Sequence, residues 1–526
     1  MRVQTRGSSL IMRALGAWTA WSLVFPALVS SAPMADGVVD IGSRRELWVD
    51  GFLVERLSGA AELRLHYPTA QEVVIVHDAP WEGSASAYHS LFQDGDLYRM
   101  YYRGWNIAYA NGKISFTNNY LCQAESSDGV HWRKPDLGIH EFKGSKANNI
   151  VLTSGRYEGM NVDAGHPAVF KDDNPAADAD ARYKAVILSK KPLGLLAFKS
   201  PDGLRWSPIR TAPVISDGAF DSQNVAFWDE VRSEYRAYWR YFSGGGTSDT
   251  EWKPQGYRAI RTAASKDFIH WSEARDLTYV DSPDEHLYTN AIKPYHRAPH
   301  VLIGFPSRYI ERGWSDAMRA LPDAEHREMR AAVVERYGTA LTETLIMASR
   351  DGVRFKRWHD AFVRPGPERP GTWKYSHLLT GWHLLETRSA LPGAPNELSL
   401  YAVEGYGTAK ASSLRRYTLR LDGFVSVQAP MSGGEVISRP VRFAGAGLFL
   451  NFATSAAGSV QVELQDDSGR PLPGFSLEDC PPIFGDTVDR GVSWKNGSDV
   501  SAMSGKPVRL RFVLKDADVY SFQFKD

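Results

Sequence analysis

Cysteine is nearly absent: Cys122 and Cys480 are the only two in 526 residues. A disulfide framework is excluded, and so are paired Cys-x-x-Cys metal ligands. The two thiols read as separate buried groups. Net charge is missing as well, with 61 lysines and arginines against 61 aspartates and glutamates. No global field draws in nucleic acid or an anionic membrane, so no nucleic-acid partner is expected. A stable membrane insertion is not expected either, because the stretch from Ala14 to Val29 is broken by Trp18, Thr19, Ser22 and Pro26. There is no Gly-x-Ser-x-Gly elbow, no phosphate-cradling glycine loop and no His-Glu-x-x-His. Gly244-Gly245-Gly246 runs into Thr247 and Ser248 without a lysine and reads as a flexible loop. No cofactor and no metal is expected.

What is present begins with a leader pattern. Arg2, Arg6 and Arg13 precede the apolar stretch, and small residues follow through Ser30, Ser31 and Ala32. That order predicts a signal peptide over residues 1–35, cut after Ala32 or Ala35, and export to the periplasm or beyond. The chain is also rich in aromatics, with 16 Trp, 23 Tyr and 23 Phe, and in breakers, with 45 Gly and 29 Pro. Many strands joined by tight turns fit both facts, and most of these rings fill cores. Rings also suit sugar faces.

The strongest internal signal is a recurring turn. It reads Ser126-Ser127-Asp128-Gly129-Val130-His131-Trp132, then Ser200-Pro201-Asp202-Gly203-Leu204-Arg205-Trp206. Ser265-Lys266-Asp267-Phe268-Ile269-His270-Trp271 and Ser349-Arg350-Asp351-Gly352-Val353-Arg354-Phe355 follow, and Asp422-Gly423-Phe424 is a shortened fifth copy. The aspartates are 74, 65, 84 and 71 residues apart. Each turn follows two further strand-like runs, as in Leu91 to Tyr102, where a hairpin joins an apolar run to an alternating one. Repetition at this period marks an array of supersecondary units. The expected fold is all-β: a five-bladed β-propeller over residues 36–424 and a C-terminal β-sandwich over 425–526. Ser315 to Tyr337, with Met318, Leu321, Met329, Val333 and Tyr337 at helical spacing, predicts one or two helices inserted in blade four. The sandwich loops at Asp466 to Gly469 and Glu478 to Pro482 are candidates for binding sugar or a cation, though a bracing role is the simpler reading.

Propeller blades converge on a central channel, so the entry to each innermost strand is where distant residues meet. Glu82, Asp163, Asp221 and Glu285 stand at those entries and are the candidate catalytic residues. Glycosidic cleavage needs one carboxyl kept protonated and another kept ionised, and crowded carboxyls split their pKa values in that way. A lone acid in such a loop is more often a turn cap, and only convergence favours chemistry. Tyr88, His89, Arg103, Trp105, His166, His286, Arg308 and Tyr309 are the candidate contacts for a carbohydrate substrate. His166 and His286 are alternative proton donors. Arg103 and Arg308 suit a carboxylated or sulfated sugar, or equally an ion pair between blades.

The Phe-x-Asp-Gly-x-Leu-Tyr-x-Met-Tyr-Tyr hairpin at Phe92 to Tyr102 and the Ser-x-Asp-Gly-x-x-Trp turns resemble the five-bladed glycosidase superfamily, which includes glycoside hydrolase families 32 and 43. The chain is most similar to exported members of that superfamily from polysaccharide-degrading bacteria. The resemblance spans residues 80–424 and implies acids on blades one to three, near Glu82, Asp163 and Asp221. The following sandwich looks like the one appended in the invertase branch. The Asn-Asp-Pro, Arg-Asp-Pro and Glu-Cys signatures of that branch are absent, with Gly165-His166-Pro167 on blade two and Phe220-Asp221-Ser222 on blade three. Fructan specificity therefore does not carry over. The implied activity is a glycoside hydrolase acting on a plant or algal glycan. The alternatives are a glycan-binding propeller without catalysis and a phosphate-dependent phosphorylase.

Overall fold

The computed structural model describes residues 37–526 except Asp249, Glu251 and Ala409. The predicted signal peptide lies outside the described residues. Five separate sheets of four or five strands form the five blades. Blade one is Ala87–Asp94, Leu97–Ala110, Lys113–Ser126 and Ile150–Thr153, paired antiparallel in that order. The buried faces are continuous apolar runs, as in Tyr183–Lys190, because each blade is covered by a neighbour on both sides. Closure of the ring comes from the other end of the chain. Thr69–Val76, which precedes blade one, pairs with Ser413–Arg420 as the outer strand of blade five.

The recurring turn joins the third strand of blades one to four to the segment beyond. Its aspartate folds back on its own backbone: Asp128 Oδ1 accepts from the Val130 and His131 amides, both at 2.8 Å. Asp202 and Asp351 repeat the same two bonds at 2.8 Å. The serine accepts the Gly203 amide at 2.9 Å, and Gly203 has φ +77°. Asp267 keeps the pattern although Phe268, at φ +67°, holds the glycine position. Three of these turns also pack on a tyrosine of the preceding blade. Tyr401 donates to Gly129 O at 2.5 Å and Tyr238 donates to Gly352 O at 2.9 Å. At Gly203 an added Cβ would lie 2.3 Å from Tyr101 Oη, so here glycine is required by approach as well as by φ. The repeat is a staple between blades.

The fifth copy differs. Asp422 does not cap its own turn. It is fully buried, accepts from Tyr295 Oη at 2.8 Å and Arg297 Nε at 2.8 Å, and accepts from Ser521 Oγ at 2.7 Å. It therefore ties blade four to the second domain, into which the chain now passes.

That second domain is one hydrogen-bonded network of ten strands. Its spine is a long antiparallel pair, Gly447–Gln465 with Pro507–Lys525, bent at two register shifts. It takes strands from both ends of the chain. Val39–Gly42, Arg45–Leu47, Val54–Gly59 and Glu62–Leu65 all pair within it, so residues 39–65 lie outside the propeller to which the sequence assigned them. Alternating strands cannot reveal which partner completes them, because pairing is set by the distant chain. Trp48, fully buried, meets the rings of Phe512 and Phe522 at 5.9 and 5.5 Å and makes this early segment part of the core. Arg350 of the fourth turn locks the domains together through Glu46 Oε2 at 2.8 Å and Asp50 Oδ2 at 2.6 Å. Burial pushes the Glu46 carboxyl up, but Arg350 and His300 outweigh it and hold the group at about 2.

The insertion in blade four is three short helices, Asp316–Ala320, Ala324–Ala331 and Glu335–Thr339, rather than one or two. Pro322 separates the first pair, and Asp323 at φ +63° turns the chain between them. Cys122 and Cys480 are both buried and free.

Candidate active site

A cavity of about 620 Å³ opens at the mouth of the central channel, and every blade contributes to it. Blade one supplies Tyr88, Arg103 and Trp105; blade two supplies Asp163, His166 and Lys190; blade three supplies Asp221. Tyr288 comes from blade four, and Tyr375 and Tyr406 from blade five. A hairpin arm that extends blade one beyond the sheet, carrying Tyr109, Ile114 and Phe116, forms one wall. Tyr337 of the helical insertion, which packs against this arm through His326 and Tyr109, also lines the cavity and stacks on Tyr375.

Two irregularities aim the central groups. In Met160–Lys171 the register jumps between Asp163 and Pro167, which face the adjacent residues Leu188 and Ile187, so Ala164 to His166 bulge out of the ladder. The bulge sets His166 Nδ1 3.2 Å from Asp163 Oδ1. In Ala87–Asp94 a second bulge lies between Ala87 and Ser90, and Tyr88 there has φ +56°. A bulky residue in that region is strained, and such strain clusters at functional sites.

Asp163 is 2 % exposed and fully engaged. Lys190 Nζ lies 2.7 Å from Oδ2, and Oδ1 accepts from Asn119 Nδ2 at 2.8 Å and from the Gly165 amide at 2.9 Å. Burial works against its charge, but His166 and then Lys190 outweigh burial and hold the carboxyl far below the usual carboxylate range. It is ionised at any working pH. Burial lowers the His166 pKa and Asp163 only partly restores it, so the ring is mostly neutral at pH 7. Asp221, with 49 % of its side chain exposed, is ion-paired with Arg240 at the lip. Burial pushes the Tyr88 hydroxyl up to about 12 against the pull of Arg103, so it remains a neutral donor.

Half of the predicted acids are elsewhere. Glu82 is 1 % exposed but does not line the cavity: it accepts from Tyr102 Oη at 2.5 Å and from Lys134 Nζ at 2.6 Å. Burial raises its pKa, with Lys134 and Tyr102 opposing. Glu285 pairs with Arg357 at 3.0 Å and Arg308 at 3.7 Å, away from the cavity. Both acids have cation partners close by, and those partners turn them into the structure. Four predicted contacts also fall outside. His89 lies across the bulge from Tyr88 and meets His77, Nε2 to Nε2, at 3.0 Å. His286 Nδ1 accepts the Arg258 amide, and Arg308 grips Glu343. Tyr309 donates to Glu311 and packs against Tyr375 from behind.

Sequence reasoning missed Lys190, Asn119, Arg240 and the tyrosines at 288, 375 and 406. Tyr288 and Tyr375 do occur in the strand-entry segments, beside the acids that drew attention; Lys190 and Arg240 had no local signal. Among the described residues no three His, Cys, Asp or Glu side chains gather in a metal-holding group.

No protein-family model and no curated protein sequence matches the chain. Among solved structures it is similar to carbohydrate-active proteins. These include the catalytic domain of a GH62 alpha-L-arabinofuranosidase from Coprinopsis cinerea, at 9% identity and TM-score 0.39, covering 68% of this chain and 99% of that one. A fructofuranosidase from Schwanniomyces occidentalis complexed with fructosylnystose matches at 11% identity and TM-score 0.36, over 86% of this chain and 96% of its own. An N-acetylgalactosamine deacetylase from F. plautii, in complex with blood group B trisaccharide, matches at 13% identity and TM-score 0.39, over 68% and 95%.

Proposed function

We propose that the chain is an exported glycoside hydrolase that cleaves a plant or algal glycan in the funnel at the channel mouth. The observation that carries the reading is the meeting of Asp163, His166 and Asp221 in one aromatic cavity. A departing glycosidic oxygen needs a proton. Asp163 is too acidic to hold one, so the donor is His166, whose Nδ1 lies 3.2 Å from Asp163 Oδ1 and whose acid form that charge favours. Asp221, ion-paired with Arg240, is the second carboxylate and serves the anomeric carbon or the water that attacks it. Tyr88, Trp105 and Tyr288 supply faces for sugar rings.

The test is release of reducing ends from a panel of plant and algal glycans. Asp221→Asn is expected to abolish it, and full retained activity would remove Asp221 from the mechanism. A second reading, a glycan-binding propeller without catalysis, is favoured by one observation: the carboxyl whose pKa burial raises, Glu82, lies outside the cavity. Oligosaccharide binding by calorimetry with no turnover across the panel would select it.

A further inference from the structure

The polar groups of the funnel are out of balance. Lys190 and Arg240 are matched by Asp163 and Asp221. Arg103 is not matched: it is 1 % exposed, lines the cavity, and has no carboxylate within 4.0 Å among the described residues. Its Nε donates to Ala85 O at 3.2 Å and its Nη2 to Tyr406 Oη at 2.8 Å, while Nη1 has no partner. The guanidinium lies 4.3 Å from the Tyr88 ring centre and 4.0 Å from that of Trp105, so its faces are covered while one nitrogen of its edge stays unused. A planar cation held by its faces is preorganised to grip an oxyanion by its edge.

The surroundings point the same way. Behind the lining, Arg258, beneath Tyr288 and Tyr309 and bonded to His286 Nδ1, and Arg330, beneath Tyr109, are also buried without a carboxylate partner and add positive charge next to the cavity without lining it. A desolvated cation lacking a counter-ion is costly, and an arriving anion offsets that cost. The tyrosine hydroxyls complement it as neutral donors: Tyr88 and Tyr288 lie 3.4 Å apart, oxygen to oxygen, and burial raises both pKa values.

We propose that the glycan bound in this funnel carries a ring oxyanion, a uronate carboxylate or a sulfate ester, and that Arg103 receives it. The inference rests on the funnel being the substrate site. Arg308, the other arginine expected to play this part, is spent on Glu343 outside the cavity.

The experiment is calorimetric titration of the full chain with three probes of equal length: an oligogalacturonate, a sulfated galacto-oligosaccharide and a neutral xylo-oligosaccharide. At least one anionic probe is expected to bind about tenfold or more tightly than the neutral one. Preference for the uronate alone assigns the carboxylate, preference for the sulfated probe alone assigns the ester, and either supports the proposal. Arg103→Met is expected to erase the preference. Should that variant fail to fold, Arg103→Lys, which keeps the charge but loses the fork, is expected to weaken the preferred probe several-fold and the neutral probe little. Equal or tighter binding of the neutral probe overturns the proposal, as does a preference left undiminished by the substitution that folds. Tight anionic binding without cleavage would leave this inference standing and overturn the hydrolase. Cleavage of a neutral glycan without anionic preference would do the reverse.

Discussion

The third strands of the first four blades end in nearly the same way, whereas the five contributions to the channel mouth have almost nothing in common. At the turns a serine and an aspartate satisfy neighbouring amides, and three of the four turns sit against a tyrosine of the blade before. All partners of the aspartate lie within a few residues. At the mouth Asp163 depends on Asn119 from the adjacent blade and Arg103 on Tyr406 from the last, while Asp221 pairs with Arg240 of its own blade. At the turns both the local bonds and the contact with the neighbouring blade repeat along the chain; at the mouth neither does. The first is architecture, and the second is where the proposed chemistry would sit.

The sharpest way to break this contrast is to perturb each region and ask which property suffers. His166→Gln is expected to lower activity by about 10²–10⁴-fold, the usual worth of a positioned proton donor, with an unchanged melting curve. Gly203→Ala should do the opposite. The strained φ and the approach of Tyr101 together cost about 2–5 kcal/mol of stability, read by denaturant unfolding, while activity per folded molecule stays the same.

Acidity separates the regions next. Because burial holds the folded His166 pKa below its ordinary value, its acid form grows as pH falls. Activity in the wild type should therefore rise from pH 7 toward mildly acid conditions, and a profile that falls over that range contradicts the donor role. Stability runs the other way. His77 and His377, each held at about 3 by burial, are neutral when folded, so the stability they contribute is complete above about pH 6.5 and is lost as pH falls toward their folded values. Thermal melts across this window would show it. The smallest expected effect is at the staple itself: Tyr238→Phe removes one hydrogen bond to Gly352 O and should cost about 1 kcal/mol without touching activity.

The same contrast explains what the sequence made legible. Four of the five blades could be counted because Asp128, Asp202, Asp267 and Asp351 act locally and so leave a local pattern, whereas the fifth copy, Asp422, keeps the motif but bonds to distant partners. The membership of residues 39–65 could not be read, since their partners lie beyond residue 424 and any alternating strand would fit. Of the four acids at the strand entries, Asp163 and Asp221 reach the cavity, but Glu82 is turned away by Lys134 and Glu285 by Arg357 and Arg308. Position along the chain gave depth in the blade. It gave no direction for the side chain, which depends on cations supplied from outside the strand-entry segments.

Bond cleavage is proposed to take place at the mouth of the channel, organised around Asp163. Its most direct test is reducing-end release by wild type and Asp163→Asn on the same glycan, normalised to folded protein. Turnover by the wild type and a loss of about 10²-fold or more in the variant are expected, as His166 loses the adjacent charge that favours its acid form. Equal turnover by the two proteins would contradict it.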